Sequence, residues 1–252
     1  MDGSALRLLD RLPGGALHGA GGRWALRLVE VIRLHLGQVS SKRRPFDAPV
    51  HGFIIKHPSA GAILVDTGIG NPPEELIRHW DIVNRAMAEA MAEHDLSPAD
   101  VRIVINTHLH WDHCGQNAVF PRAPFYVQRA ELDRARREEM LTSEWFDFAG
   151  AKFELLDGEA EIAPGIRVIP TPGHTVGHHS VVIEDGPEQL FIGDAAYTKD
   201  IFENFEDFPV ERLTGQAENV DAWRDSLRRI SSRDTDAIHF CHDTRVVHPH
   251  RH

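Results

Sequence analysis

The sequence predicts an α/β fold, one domain over residues 1–252 in which sheets are flanked by helices. Three observations carry that reading. Short apolar runs with strand character come in groups, and charged or amphipathic segments at helical spacing fall between the groups. No Pro/Gly/Ser linker, internal repeat or low-complexity tract divides the chain. A length of 252 residues suits one large α/β domain or two small ones, and is ample for a sizeable core.

Taken in order, residues 11–22 are Gly-rich and aperiodic and read as a loop. Gly52–Lys56 and Gly61–Asp66 read as strands joined by the turn His57-Pro58-Ser59-Ala60. Pro72-Pro73-Glu74-Glu75 opens a helix, with proline and acids in its first turn, and the Ala/Met/Glu-rich segment carries it to His94. Ser97-Pro98-Ala99-Asp100 has the form of a one-turn helix cap before the strand 101–105. Phe125–Gln128 is a short strand. Residues 129–140 form a charged helix whose opposite charges, at helical spacing, make a solvated face. Gly165–Pro170, His179–Glu184 and Gln189–Ile192 are further strands. Asn219–Ile230 is a helix with Val220, Trp223, Leu227 and Ile230 on one face, and Ala237–Phe240 is a last buried strand.

Composition excludes several classes. The net charge of −11, from 27 basic against 38 acidic residues, argues against a nucleic-acid surface. The one basic cluster, Lys42-Arg43-Arg44, reads as solvated loop. No apolar run reaches membrane-spanning length, so no membrane partner is expected. The segment Leu6–Leu12 is interrupted by Arg7, Asp10 and Arg11 and is not a signal-peptide core. Two cysteines, Cys114 and Cys241, are too few for a disulfide scaffold, so a cytoplasmic protein is expected. Oligomeric state is open, a homodimer included.

The chemistry concentrates in His108-Leu109-His110-Trp111-Asp112-His113, which follows the apolar run 101–105. Imidazole and carboxylate are good ligands for zinc and similar divalent ions. On an extended backbone, side chains two apart project to one side, so His108 and His110 are placed to grip one ion together. Asp112 and His113, where the chain leaves the strand, are placed to turn toward a second. Further candidates follow strand ends: His174 in Thr171-Pro172-Gly173-His174-Thr175, Asp194 after Gly193, and His242 in Cys241-His242-Asp243. A dinuclear site needs about seven protein ligands, a bridge among them, with a position left open. The count closes with His108, His110 and His174 on one ion, Asp112, His113 and His242 on the other, and Asp194 between them. Taken singly, His174 or Asp194 reads equally as a structural residue. Zinc leads among the metals, and iron, cobalt and manganese suit the same donors.

In order and spacing, HLHWDH, TPGHT, GDAAYT and CHD resemble the metallo-β-lactamase superfamily, from Asp66-Thr67-Gly68 to His242. Gly193–Lys199, Val127-Gln128-Arg129 and the TPGH…GH segment ending at His178 most resemble the N-acyl homoserine lactone lactonases, the quorum-quenching lactonases. The resemblance implies a four-layer αβ/βα sandwich with two divalent metal ions at one edge of facing sheets. It also implies a tyrosine over the metals, here Tyr197, for which a packed aromatic is the plainer alternative. Departures are Trp111 where Phe is usual, Cys114 where a small residue is common, and Gln116 where Gly is usual; they bear on substrate preference.

The implied activity is a metal-dependent carboxylic ester hydrolase that opens the lactone ring of N-acyl homoserine lactones, a hydroxide bridging the metals attacking the carbonyl. Tyr197 then stabilises the oxyanion, and Asp112 carries the nucleophile's proton to the leaving alkoxide. Asp66 is either a strand-end turn residue or the acceptor for the free N–H of a ligating histidine. Cys114 reads as a small packed residue. His178, His179 and His239 read as core or supporting residues, and His248, His250 and His252 as a frayed tail. Trp24, Phe46, Trp80, Trp145, Phe146, Phe202 and Phe205 are candidates for either pocket wall or core.

Rival readings are a thioesterase resembling glyoxalase II, which would be expected to carry a helical region well beyond His242, and a non-catalytic metal-stabilised scaffold. A flavodiiron-type oxidoreductase carries Glu where His110 stands. The acidic charge disfavours a tRNA 3′-processing phosphodiesterase, and Asp112-His113 disfavours a β-lactamase.

Overall fold

The computed structural model describes residues 29–41, 47–72, 74–137, 143–212 and 215–249. The strands, in chain order, are β1 (Glu30–Ser41), β2 (Asp47–His57), β3 (Gly61–Val65), β4 (Trp80–Asn84), β5 (Val101–Ile105), β6 (Pro124–Gln128), β7 (Lys152–Leu156), β8 (Ala160–Ala163), β9 (Ile166–Pro170), β10 (His179–Ile183), β11 (Gln189–Phe191) and β12 (Ala237–His239). The helices are α1 (Glu74–His79), α2 (Met87–Ala92), α3 (Arg129–Arg137), α4 (Ser143–Phe146), α5 (Lys199–Glu203) and α6 (Val220–Ser231). Among the described residues they frame two sheets, ordered β4-β1-β2-β3-β5-β6-β7 and β12-β11-β10-β9-β8. Neighbouring strands from β3 through β7 run parallel, as do β11 and β12; the other pairs are antiparallel.

The two-residue strand period sorts the apolar side chains into layers. In β3, Ile63 and Val65 point into a core shared with Val181 and Ile183 of β10, while Leu64 points the other way onto Met87, Ala90 and Met91 of α2. In β10, Val182 turns its back on that shared core and packs with Trp223, Leu227 and Ile230 of α6. The order helix, sheet, sheet, helix is an αβ/βα sandwich. Strands buried on both faces read as unbroken apolar runs, and for that reason they were legible.

Three expectations are corrected. The helix foreseen over 72–94 is two short helices separated by β4, which pairs antiparallel with β1. Trp80, Ile82 and Val83 favour a strand, and the open edge of β1 outweighs the helix preference of the flanking residues. The charged face of 129–140 is not all solvated: Glu131 and Arg134 are buried. The tail is not frayed as far as His248, since Val247 bridges Ile238 and the His248 Nδ1 bonds the Asp236 carbonyl at 2.8 Å. Residues 11–22, Lys42-Arg43-Arg44, Trp24, Phe46, His250 and His252 lie outside the described residues. β1, β7 and β8 were not foreseen. No helix among the described residues is long and apolar enough to cross a membrane.

His239 has a structural place between the sheets. Its ring stacks on Phe191 at 4.7 Å and its Nε2 donates to the Gln189 Oε1 at 3.0 Å. Burial, then the nearby Arg33 charge, push its pKa down to about 3. The unfolded chain therefore takes up a proton near pH 6.5 that the folded chain refuses until about pH 3, so stability falls as pH drops through that window. One such proton corresponds to about 1.4 kcal/mol per pH unit. In urea melts between about pH 6 and pH 4, His239→Gln should flatten the slope of stability against pH by roughly that amount relative to the parent. Parallel slopes would contradict the assignment.

Candidate metal centre

The seven candidate ligands lie on loops at the carboxyl ends of four strands, where open α/β sheets place their sites. β5 leads to His108–His113, β9 to His174, β11 to Asp194 and β12 to His242. Backbone bonds lace these loops together: His179 N to the Thr107 carbonyl at 3.0 Å, Thr67 N to the His113 carbonyl at 2.7 Å, and His51 N to the Cys241 carbonyl at 3.0 Å. Gly193 has φ +50°, and a Cβ there would stand 2.8 Å from both the His178 Nε2 and the Thr107 Oγ1, so glycine is required beside Asp194.

All seven residues meet in one cluster. The His108 Nε2 lies 3.0 Å from the His110 Nδ1, and the His174 Nε2 lies 3.1 and 2.9 Å from those two nitrogens. The Asp194 Oδ2 faces this trio, 3.7 Å from His108 and 3.3 Å from His174. Its Oδ1 faces the other way, 3.2 Å from the His113 Nε2 and 3.3 Å from the His242 Nε2. The Asp112 Oδ2 completes that second group at 3.5 Å from His242. His108 and His110 converge from a turn beyond β5, not from the strand itself.

Four of the imidazoles have their outward nitrogen occupied. The Nδ1 of His174 donates to the Gln216 carbonyl at 3.0 Å and that of His242 to the Pro49 carbonyl at 2.9 Å. His113 Nδ1 donates to the Asp66 Oδ2 at 2.8 Å. His108 Nδ1 donates to the Thr107 hydroxyl at 3.1 Å, which itself donates to Asp66 at 2.7 Å. In His108 and His174, which burial keeps neutral, the proton committed outward leaves a bare Nε2 lone pair inward, whereas nearby carboxylates favour a second proton on His113 and His242. Lone pairs about 3 Å apart repel, and the buried His113 Nε2 and Asp194 Oδ1 have no hydrogen-bond partner among the described residues. The donor set fits two divalent cations: each group supplies imidazole nitrogens and one side of the Asp194 carboxylate.

Charge follows this division. Burial, then the neighbouring imidazoles, hold His108 and His110 well below the usual histidine range. Burial would also depress His113, but the carboxylates of Asp194, Asp66 and Asp112 together raise it well above that range. Asp194, opposed by burial, is drawn well below the carboxylate range by His113 and His242.

Tyr197 lies over both groups: its ring meets His174 edge-on at 5.6 Å and His242 at 5.3 Å. Its hydroxyl donates to the Gly215 carbonyl. Burial, then Asp194 and Asp112, raise its pKa well above the ordinary phenol value, so it keeps its proton. Asp66 is both a turn residue, at φ +57°, and the acceptor that orients His113. Cys114 is buried with Leu109, Val127 and Phe146, its thiol pushed up by burial, as a packed residue should be. Gln116 spends its amide on α2, accepting from Met87 N at 2.7 Å, and not on a pocket wall. Phe146, Phe202 and Phe205 are core, while Trp80 and Trp145 are half-buried.

Three residues support the ligands from behind; His178 was expected as core or support, and Gln216 and Glu131 were not. Gln216 donates to the Asp194 carbonyl at 2.8 Å and accepts from Tyr197 N at 3.1 Å. The His178 Nε2 accepts from Asp194 N at 3.0 Å. Glu131 accepts from Leu109 N at 2.9 Å. Only His178 carried a signal, its place in the PGHTVGH segment; the others are polar residues brought in from distant loops.

The family model described as the metallo-beta-lactamase superfamily matches residues 47–242, and the chain belongs to that superfamily. It is an enzyme of the metal-dependent hydrolase class. A Bacillus protein named N-acyl homoserine lactonase is 36% identical over 176 residues, 63% of this chain and 68% of its own. The structure of Bacillus thuringiensis AiiA with N-decanoyl-L-homoserine bound at the active site superposes with a TM-score of 0.71 at 26% identity, covering 85% of this chain and 93% of that one. An N-acyl homoserine lactone hydrolase with the product N-hexanoyl-L-homoserine at its catalytic metal center gives 0.71 at 25% identity, covering 85% and 93%.

Because Asp194 faces both groups, Asp194→Ala should lose most bound metal and essentially all hydrolysis. Elemental analysis of the loaded variant checks this, and metal content equal to wild type would contradict it.

Proposed function

We propose that this hydrolase opens the ring of N-acyl homoserine lactones at a dinuclear centre held by His108, His110 and His174 on one side, Asp112, His113 and His242 on the other, and Asp194 between them. The observation that carries the reading is the division of Asp194, one oxygen toward each group of inward-facing imidazoles. The lactonase relatives supply the substrate class. Zinc suits the nitrogen-rich donor set best, with iron, cobalt and manganese as alternatives. Residues 1–252 are taken as one domain working in the cytoplasm.

Two bound divalent ions supply a nucleophilic hydroxide near neutral pH and polarise the lactone carbonyl. The chain's residues do the rest. Asp194 fixes the spacing of the two groups, and Asp66 and the Pro49 carbonyl fix the rings of His113 and His242. Asp112, less buried than the other carboxylates, takes the nucleophile's proton and returns it to the alkoxide released when the ring C–O bond breaks. Tyr197 keeps its proton and donates a hydrogen bond to the oxyanion, exchanging its bond to the Gly215 carbonyl for that one. No side-chain nucleophile is needed, and the high thiol pKa of Cys114 fits none.

A panel of homoserine lactones, other lactones, thioesters and phosphodiesters, run on metal-quantified protein, tests the substrate class. Homoserine lactones should turn over fastest; a preference for thioesters would favour the glyoxalase II-like alternative, and no turnover of any substrate would favour a metal-stabilised scaffold. Asp112→Asn, fully metallated, should lose turnover because an amide cannot shuttle the proton; a normal kcat contradicts the shuttle. One oxyanion hydrogen bond is worth roughly 2–4 kcal/mol. Tyr197 gives up the Gly215 bond to make it, so Tyr197→Phe should lose about tenfold to a few hundredfold in kcat/KM with metal content unchanged. Wild-type kcat/KM on homoserine lactones would falsify that role.

A further inference from the structure

Glu131 is fully buried in the first turn of α3. A carboxylate so placed needs a compensating charge and a full set of donors. Arg134 supplies the charge, with its Nη2 at 2.7 Å from the Oε1 and its Nε at 3.4 Å from the Oε2. The remaining donors come from two ligand loops. The N–H of Leu109, the residue between His108 and His110, donates to the Oε1 at 2.9 Å. The hydroxyl of Thr175, the residue after His174, donates to the Oε2 at 2.7 Å. The His174 loop also packs hard on α3: a Cβ on Gly177 would stand 2.3 Å from Glu131 N.

We propose that Glu131 is the positioning residue of the three-histidine half of the centre, one carboxylate setting the distance between the His108–His110 loop and His174. The inference rests on the dinuclear reading above and adds an asymmetry to it. His113 and His242 are oriented by other groups, Asp66 and the Pro49 carbonyl, so the affinity for one ion depends on Glu131 and that for the other does not. Arg134 is part of the device. It neutralises Glu131 and reaches the Glu218 carboxylate at 3.4 Å, while Glu218 N bonds the His174 carbonyl at 3.2 Å.

The test is a competition titration of the full chain with Zn2+ against a chromophoric chelator. Wild type should show two binding constants. Glu131→Gln keeps the shape but removes the buried carboxylate that neutralises Arg134, so it risks misfolding. Thr175→Val is the gentler variant, removing one hydroxyl at nearly constant volume. Removing such a supporting partner typically costs 10–100-fold in metal affinity. Both variants should weaken one constant by about that factor and leave the other within about threefold, and Thr175→Ser should restore it. Circular dichroism of the metal-free proteins shows whether the fold is kept. Unchanged constants in a folded Thr175→Val, or equal loss of both, overturn the proposal, the second marking a general structural role. A wild type with a single constant overturns the dinuclear reading instead, and the variants then decide whether Glu131 governs that one ion.

Discussion

Five imidazoles and two carboxylates converge where the two sheets meet, with bare nitrogen lone pairs turned toward one another about 3 Å apart. Left alone, this arrangement is repulsive and desolvated, and a chain free to do so would splay it apart. It persists because the loops that carry the ligands are fastened from behind, by backbone bonds between loops and by acceptors on the outward ring nitrogens, the Gln216 and Pro49 carbonyls and the Asp66 carboxylate. Cations turn the same convergence from a cost into binding energy, which is the physical basis for reading a dinuclear centre here.

The sandwich is what makes that fastening possible. Its shared core, with Phe53, Ile63, Val65, Val181 and Phe191, holds the sheets face to face, so the carboxyl end of β5 in one meets those of β9, β11 and β12 in the other along one edge. Asp66 shows the local cost. A non-glycine residue at φ +57° carries strain on the order of 1 kcal/mol or more. It is held there by Thr107 N at 2.8 Å, the Thr107 hydroxyl and the His113 ring, the contacts that orient two candidate ligands.

What was legible in the sequence follows from how local each signal is. The strands of the shared core announced themselves as apolar runs, and the ligand residues lie in short motifs with recognisable spacing. β4 was read as helix because its strand preference is expressed only against the edge of β1, a partner about forty residues away. β1 did carry a local signal, the alternation of Ile32, Leu34 and Leu36, which went unread. Glu131 looked like one more charge on a charged helix. Its role depends on Leu109 and Thr175, brought to it by the fold from 22 residues before and 44 after. Gln216 and Asp66 are of the same kind: supporting polar residues whose partners are set by tertiary structure.

The central claim is that Asp194 stands between two ions. Anomalous diffraction at the zinc edge from metal-loaded crystals tests it most directly. Two peaks should appear, one among His108, His110 and His174 and one among Asp112, His113 and His242, with the Asp194 carboxylate reaching both. A single peak, or two with Asp194 bound to neither, would contradict it.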